Sequence, residues 1–437
     1  MSTSATPNLS GRWFLSGREK PSVIGTVILG EGLPRLVVDV AHEPTDATAF
    51  AGFHAFPPNE PRPRVIHGRD RHDKPVTLFG CGDPMQSVSS GMTTYTIEAL
   101  AVLRDQEVES WDQPFFQTAT VNLTHLHRWL DQPFVERKDS GPRPILQASE
   151  PFEVMFELEP GVRMAFQQEI HSNSSWDEES IKQGAHIGFY FTTPRSLQEI
   201  MDRWVPWAQR LIGLLVGTGV GREKVRFFTH DATQQGLPIH TWVGSSAELL
   251  GQNPKSRRAL LRDPHSFDMI APYPKIADRM PKVIATWHRM DREIRPVLDL
   301  FGAVALQHSL YAQAQFLFLV QALEVYHALS GKFTGSRKDW SVRLREIFDA
   351  YAEVSGKLFT DSAKMADRIA NTRNELTHGR KKKRPEDLLS ENEMDRVAWC
   401  LEALLWIILL RELGIEGEPV KRLLHRVNSA KFVSLRT

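Results

Sequence analysis

Cysteine is nearly missing: Cys81 and Cys400 are the only two in the chain. Two are too few for a disulfide framework or a cysteine-rich zinc site, and the scarcity fits a reducing compartment. Long apolar runs are missing as well. The most hydrophobic stretch, Ala398 to Leu413 (AWCLEALLWIILLREL), is shorter than the roughly 20 residues that span a bilayer and contains Glu402, so a core helix is expected there and no membrane partner. The opening MSTSATPNLSGRW has no basic start followed by an apolar run and does not read as a secretory signal. The expected compartment is the cytoplasm. Excess charge of either sign is also absent, with Lys+Arg and Asp+Glu both 53. No global field gathers polyanions, and any nucleic-acid contact must come from a local cluster. No P-loop, HExxH or GxSxG occurs, and GTGVG (Gly217 to Gly221) follows a helical pattern where a phosphate loop would follow a strand. There is no internal repeat of fixed period.

What is present is a globular composition, 41% hydrophobic and 24% charged, in 437 residues, too long for one typical core. The first part reads as strands. Phe152, Val154, Phe156 and Leu158 alternate with Glu153, Met155, Glu157 and Glu159, and Glu159-Pro160-Gly161 supplies a turn into a return strand from Val162 to Ile170. Further strands are expected at Arg35 to Val40, Lys74 to Gly80, Thr93 to Leu103, His186 to Phe191, Lys224 to His230 and Ile239 to Gly244. One helix interrupts them, with Thr193 as cap, Pro194 in the first turn and Leu197, Ile200, Met201 and Trp204 on one face; Pro206 is expected to kink or break it.

From about Ala271 a proline-bearing stretch, APYPKIADRMPKVI, introduces a remainder with almost no strand signal. The expected fold class is therefore α+β and multidomain, a β-rich region over 1–270 followed by an all-α bundle over 271–437. Leu310 to Ser330 is apolar nearly all round and marks a central buried helix ended by Gly331. A second helix is expected over Ser336 to Ser355. Asp361 caps a third, striped by Met365, Ile369, Thr372 and Leu376 and followed by Gly379; Ser390 and Glu393 form a capping box for a fourth.

The third helix ends in NTRNELTHGRKKKR, Asn371 to Arg384. Arg followed five places later by His is expected about once by chance in a chain of this size, and it occurs twice. Arg62 and His67 lie in an extended context. Arg373 and His378 differ in having adjacent Asn374, a helix end and a basic run. The pairing suits cleavage of an RNA phosphodiester without a metal. An imidazole ordinarily titrates near neutrality, so a histidine at 378 can move a proton on or off the attacking 2′-hydroxyl or the leaving 5′-oxygen. Arg373 would stabilise charge on the phosphorane oxygens, Asn374 would orient one of them, and Arg380, Lys381, Lys382, Lys383 and Arg384 would hold flanking phosphates. Positions five apart on a helix point roughly 140° away from each other. For both to serve one atom, the helix must unwind before His378 or two subunits must share a site.

The TRNELTHG segment, on a bundle that also contains FLFLVQALEVYHAL, resembles the R-polar-x3-H signature of HEPN domains. The whole chain resembles Apea-type abortive-infection proteins, which join a β-rich N-terminal domain to a C-terminal HEPN domain; GRWFL (Gly11 to Leu15) and IHGRDRHDKPVTLFGC (Ile66 to Cys81) are similar to that family's opening region. The resemblance implies an anti-phage endoribonuclease acting as a homodimer on host RNA, tRNA among the candidates. It further implies 2′,3′-cyclic phosphate products, no cofactor and a phage-derived trigger on the N-terminal domain. Arg373, Asn374 and His378 occupy the motif positions, and Glu324 is the candidate acidic residue from another helix.

Other readings stand beside these. Arg373 and His378 can simply complement the helix dipole, the basic run can be a solvated loop, and Glu324 can be a structural hydrogen-bonding group. His125 and His127 have the spacing of strand-borne metal ligands without an evident third ligand, so no metal is expected. From another class, the chain can be a non-catalytic dimerising protein whose bundle is a scaffold and whose β domain binds a ligand or partner.

Overall fold

The computed structural model describes residues 8–15, 22–29, 33–41, 65–89, 92–132, 135–138, 145–148, 152–174, 179–229, 246–250, 268–305, 311–333, 339–379 and 384–425. The chain forms two compact units. The first takes residues 1–127, 133–206 and 221–260, and the second takes 128–132, 207–220 and 261–437. Two short early segments thus join the helical unit, so the partition is not a single cut near residue 270. Together the units make an α+β architecture, β-rich first and helical second.

In the first unit, fourteen of the described strands form one sheet whose neighbours pair antiparallel. The expected hairpin is one edge of it, Glu153–Glu159 pairing with Val162–Ser174, which then pairs along its length with Glu179–Arg195. The alternation shows in the first strand, where Phe156 is buried and Val154 and Leu158 are half-buried while Glu153, Met155 and Glu157 are exposed; the return strand is buried on both faces from Met164 to Gln168, packed with Phe189 and Phe191. GRWFL and IHGRD, far apart in sequence, lie in adjacent strands, Leu9–Leu15 and Val65–Asp70, with Trp13 opposite Gly68. A Cβ at Gly68 would come within 2.3 Å of the Trp13 ring, so the strand pair depends on glycine there. The Trp13 indole is fixed by donating to the Gly25 carbonyl at 3.0 Å.

Several expectations are corrected here. Thr93 to Leu103 is not one strand but two, Met92–Glu98 and Ala101–Arg104, because the chain turns at Ala99 and Leu100, whose N–H groups bond Pro34 and Phe79 carbonyls. Thr193 and Pro194 do not start the helix; the strand runs to Arg195 and Ser196 is the cap, its hydroxyl accepting from the Glu199 N–H. Pro194 is tolerated because the ladder to Phe116–Leu123 is irregular between Tyr190 and Arg195 and asks no donor of it. Nor does Pro206 stop the helix. A π-helical turn at Ile200–Trp204 precedes it, and the wider turn absorbs the missing N–H as the helix continues to Val216. His125 and His127 lie in the turn and first helical residues after the strand, His125 with φ 67°, so they do not share a strand face. The expected strand at 239–244 and Arg62 lie outside the described residues.

In the second unit, α1 (Leu126–Leu130) and α2 (Val205–Val216) come from the early segments, α1 by its Arg128–Leu130 part and α2 by its Trp207–Val216 part. Then follow α3 (Met280–Glu293), α4 (Arg295–Ala305), α5 (Ala312–Leu329), α6 (Trp340–Ala350), α7 (Ala352–Leu358), α8 (Ser362–His378) and α9 (Glu391–Glu412). In the proline-bearing stretch Ala271, Tyr273 and Ile276 are buried, and α3 opens with Pro281 in its first turn, where a missing N–H costs nothing. Arg210 of α2, itself buried, donates to Asp291 of α3 at 2.6 Å and to Asp299 of α4 at 2.5 Å. The Trp406 indole of α9 donates to the Leu214 carbonyl of α2 at 2.9 Å. These ties explain why residues 207–220 belong with the bundle.

The central helix α5 is closed by Ser330 as its C-cap, before Gly331 at φ 68°. The helix expected over Ser336 to Ser355 is two, α6 and α7, broken at Tyr351, whose backbone leaves the helical region. The caps of α8 and α9 are those expected. The Asp361 carboxylate accepts from the Lys364 N–H, and Ser390 and Glu393 close a reciprocal capping box.

Candidate active site

The α8 helix buries Ala366, Ile369, Ala370 and Thr372 and leaves its last turn in solvent, including Leu376 of the expected apolar stripe. Thr372 Oγ1 donates to the Arg368 carbonyl at 2.8 Å and accepts from the Leu389 N–H at 2.9 Å. That bond pins the segment entering α9 against α8. Arg368 reinforces it, gripping both oxygens of Glu393 at 2.8 and 3.0 Å. The Arg368 guanidinium, followed by the bond from the Ser390 backbone, pulls the Glu393 carboxyl down to about 2.

Arg373 follows on the edge of the buried face, its side chain 26% exposed. One terminal nitrogen donates to Glu324 Oε2 on α5 at 3.1 Å, and the other to Asn374 Oδ1 at 3.1 Å. Since a guanidinium carries five N–H donors, these two bonds leave others for a phosphate oxygen. Glu324 reaches a second cation through its other oxygen, which lies 3.6 Å from a terminal nitrogen of Arg343 on α6. A carboxylate thus sits between two guanidinium groups from different helices.

His378 occupies the last helical position and is exposed. Its imidazole forms no hydrogen bond or ion pair with another described residue. The helix does not unwind ahead of it: the Gly379 N–H donates to the Glu375 carbonyl at 2.8 Å, and only Gly379 turns left-handed, at φ 62°. Regular geometry therefore holds Arg373 and His378 on faces roughly 140° apart within one chain. Of the basic run, Arg384 is described, 83% exposed with Glu386 at 3.9 Å; residues 380–383 lie outside the described residues.

Arg343 is the member of the cluster that sequence reasoning missed. It lies in a stretch, WSVRLREIF, with Arg345 two places on, and periodicity cannot say which arginine turns toward α5. The structure separates them, Arg343 facing Glu324 and Arg345 gripping Asp367 of α8. Elsewhere in the unit, Glu402 of α9 accepts from the Gln315 side chain of α5 at 3.1 Å, and burial pushes its carboxyl up to about 7 against that bond. Among the described residues, no three His, Cys, Asp or Glu side chains are grouped to hold a metal ion. No described helix is long and apolar enough to cross a membrane.

An antiparallel sheet unit and a helical bundle, one helix of which closes on an arginine, a polar neighbour and a histidine, define a two-part protein. The family comparison gives the finer assignment. The ApeA N-terminal domain 1 model matches residues 8–287, and the chain belongs to that family; the Apea-like HEPN model matches residues 317–419. The second match takes in most of α5 and all of α6 to α9, and with them Glu324, Arg343, Arg373, Asn374 and His378. At the level of the family, HEPN domains are generally ribonucleases that bind RNA and dimerise, and an abortive-infection role goes with them. Neither the search of curated proteins nor that of solved structures returned a match.

Proposed function

We propose that the chain is a cytoplasmic, metal-independent anti-phage endoribonuclease whose site is composite, built from Arg373, Asn374 and His378 of two copies. The observation that carries this reading is the unbroken helix through His378, with Arg373 turned inward to Glu324 and His378 outward to solvent. One helix cannot offer both groups to one phosphate, whereas two facing copies can. In such a site an imidazole removes the 2′-hydroxyl proton, the oxygen attacks phosphorus, and the 5′-oxygen leaves with a proton. The guanidinium holds the charge that builds on the non-bridging oxygens. The product is a 2′,3′-cyclic phosphate. Arg380 to Arg384 would hold flanking phosphates of a host RNA, tRNA being the first candidate to test, and the β-rich unit would receive a phage-derived trigger.

Complementation tests the shared site. Arg373→Ala and His378→Ala are each expected to be inactive alone. Mixed and allowed to exchange subunits, they should recover about a quarter of wild-type activity, since half of the dimers are mixed and each carries one intact Arg/His set. A mixture as dead as its components would reject the two-copy site.

A second reading has its own support, because the Arg373–Glu324 pair ties α8 to α5 and is a structural contact in its own right. On that reading the bundle is a dimerising scaffold without catalysis. Arg373→Ala would then lower the melting temperature, and overproduced wild type and His378→Ala would be equally harmless to cells.

A further inference from the structure

We infer that Arg343 is a positioning residue for Arg373, acting through Glu324; this rests on the nuclease reading of the same site. Glu324 is a long side chain with freedom about three bonds, and a single cation on one oxygen would leave the carboxylate plane free to swing. Here both oxygens are engaged, Oε2 by Arg373 at 3.1 Å and Oε1 by Arg343 at 3.6 Å. The three groups come from α8, α5 and α6, so the two oxygens of the carboxylate are held by separate elements. All three are sheltered: the side chains of Arg343, Glu324 and Arg373 are 19%, 26% and 26% exposed.

Charge gives Arg343 a second effect. Glu324 and Arg373 by themselves form a neutral pair, and a neutral pair attracts a phosphate poorly. With Arg343 the group carries one net positive charge, and the negative charge of Glu324 is divided between two guanidiniums. Glu324 can then aim Arg373 without cancelling it. The neighbouring Arg345 offers an internal control, since it engages Asp367 and has no part in the cluster.

The test is a steady-state comparison of full-length variants on one RNA. Arg343→Gln is expected to lower kcat by about tenfold to a hundredfold with KM little changed, the loss that a mis-set catalytic group produces. Arg343→Lys, which keeps the charge at a single-point contact, should recover most of it. In a Glu324→Gln background, Arg343→Gln should add no further loss, because the two act through one another. Arg345→Gln should leave kcat unchanged. Wild-type kcat in Arg343→Gln, no recovery in Arg343→Lys, or losses that multiply in the Glu324→Gln background would overturn the inference. If Arg373→Ala and His378→Ala abolish cleavage while Arg343→Gln keeps the wild-type kcat, this inference alone fails; if Arg373→Ala cleaves normally, the nuclease reading fails first.

Discussion

Replacing Glu402 by glutamine should make the helical unit more stable, and only above a certain pH. Its carboxyl lies between α9 and α5, bonded to Gln315, and burial raises it from 4.5 to about 7. Between those values the folded state keeps a proton that the unfolded chain has lost, so stability falls as pH rises through the window and levels off above it. Each pH unit of displacement corresponds to about 1.4 kcal/mol, so the full window costs the wild type about 3 kcal/mol. Glutamine stays neutral and escapes that loss. The assay is guanidinium denaturation followed by helical circular dichroism, for wild type and Glu402→Gln, from about pH 4 to about pH 8. Other titrating groups cancel in the difference between the two proteins. The difference should be lowest at the acid end and grow by up to about 3 kcal/mol toward the alkaline end. A difference that does not change with pH would refute the reasoning, since a buried neutral carboxyl is its only premise.

Ser390→Ala removes the α9 cap and should lower stability by about 1 kcal/mol, with Asp or Asn at that position restoring most of it, as measured by thermal melting. The Glu393 carboxylate, held at about 2 by Arg368 and the cap, should keep this joint intact as pH falls through the usual carboxylate range and release it only near that value, which a carboxyl titration by nuclear magnetic resonance would follow. Gly68→Ala drives a methyl into the Trp13 ring and should destabilise the sheet unit by about 3 kcal/mol, visible as a shifted tryptophan emission and a lower midpoint.

Local chemistry was legible in the sequence wherever a few adjacent residues decide the outcome. The Asp361 and Ser390 caps, the Gly379 stop and the Glu159-Pro160-Gly161 turn all stand as their residue types require. What escaped was set by distant partners. The proline at 206 signals a break by itself, yet the chain inserts a π turn ahead of it and continues, because α2 has Arg210 to offer two aspartates and Leu214 to offer Trp406. The single helix expected over 336–355 divides at Tyr351, whose hydroxyl meets that of Tyr326 from α5 at 2.9 Å. At the candidate site the motif residues were visible as a pattern. The geometry between them was partly legible as well, since helical periodicity already forbids Arg373 and His378 a common face. Arg343 was not, since its place beside Glu324 comes only from α5 and α6 meeting.

The most direct test of the central claim is the chemistry of the ends left when the purified chain, with EDTA present, is incubated with RNA. The account predicts cleavage leaving 2′,3′-cyclic phosphates and 5′-hydroxyls, absent when Arg373→Ala or His378→Ala replaces the wild type at unchanged melting temperature. Cleavage that requires magnesium and leaves 5′-phosphates, or that persists in His378→Ala, would contradict it.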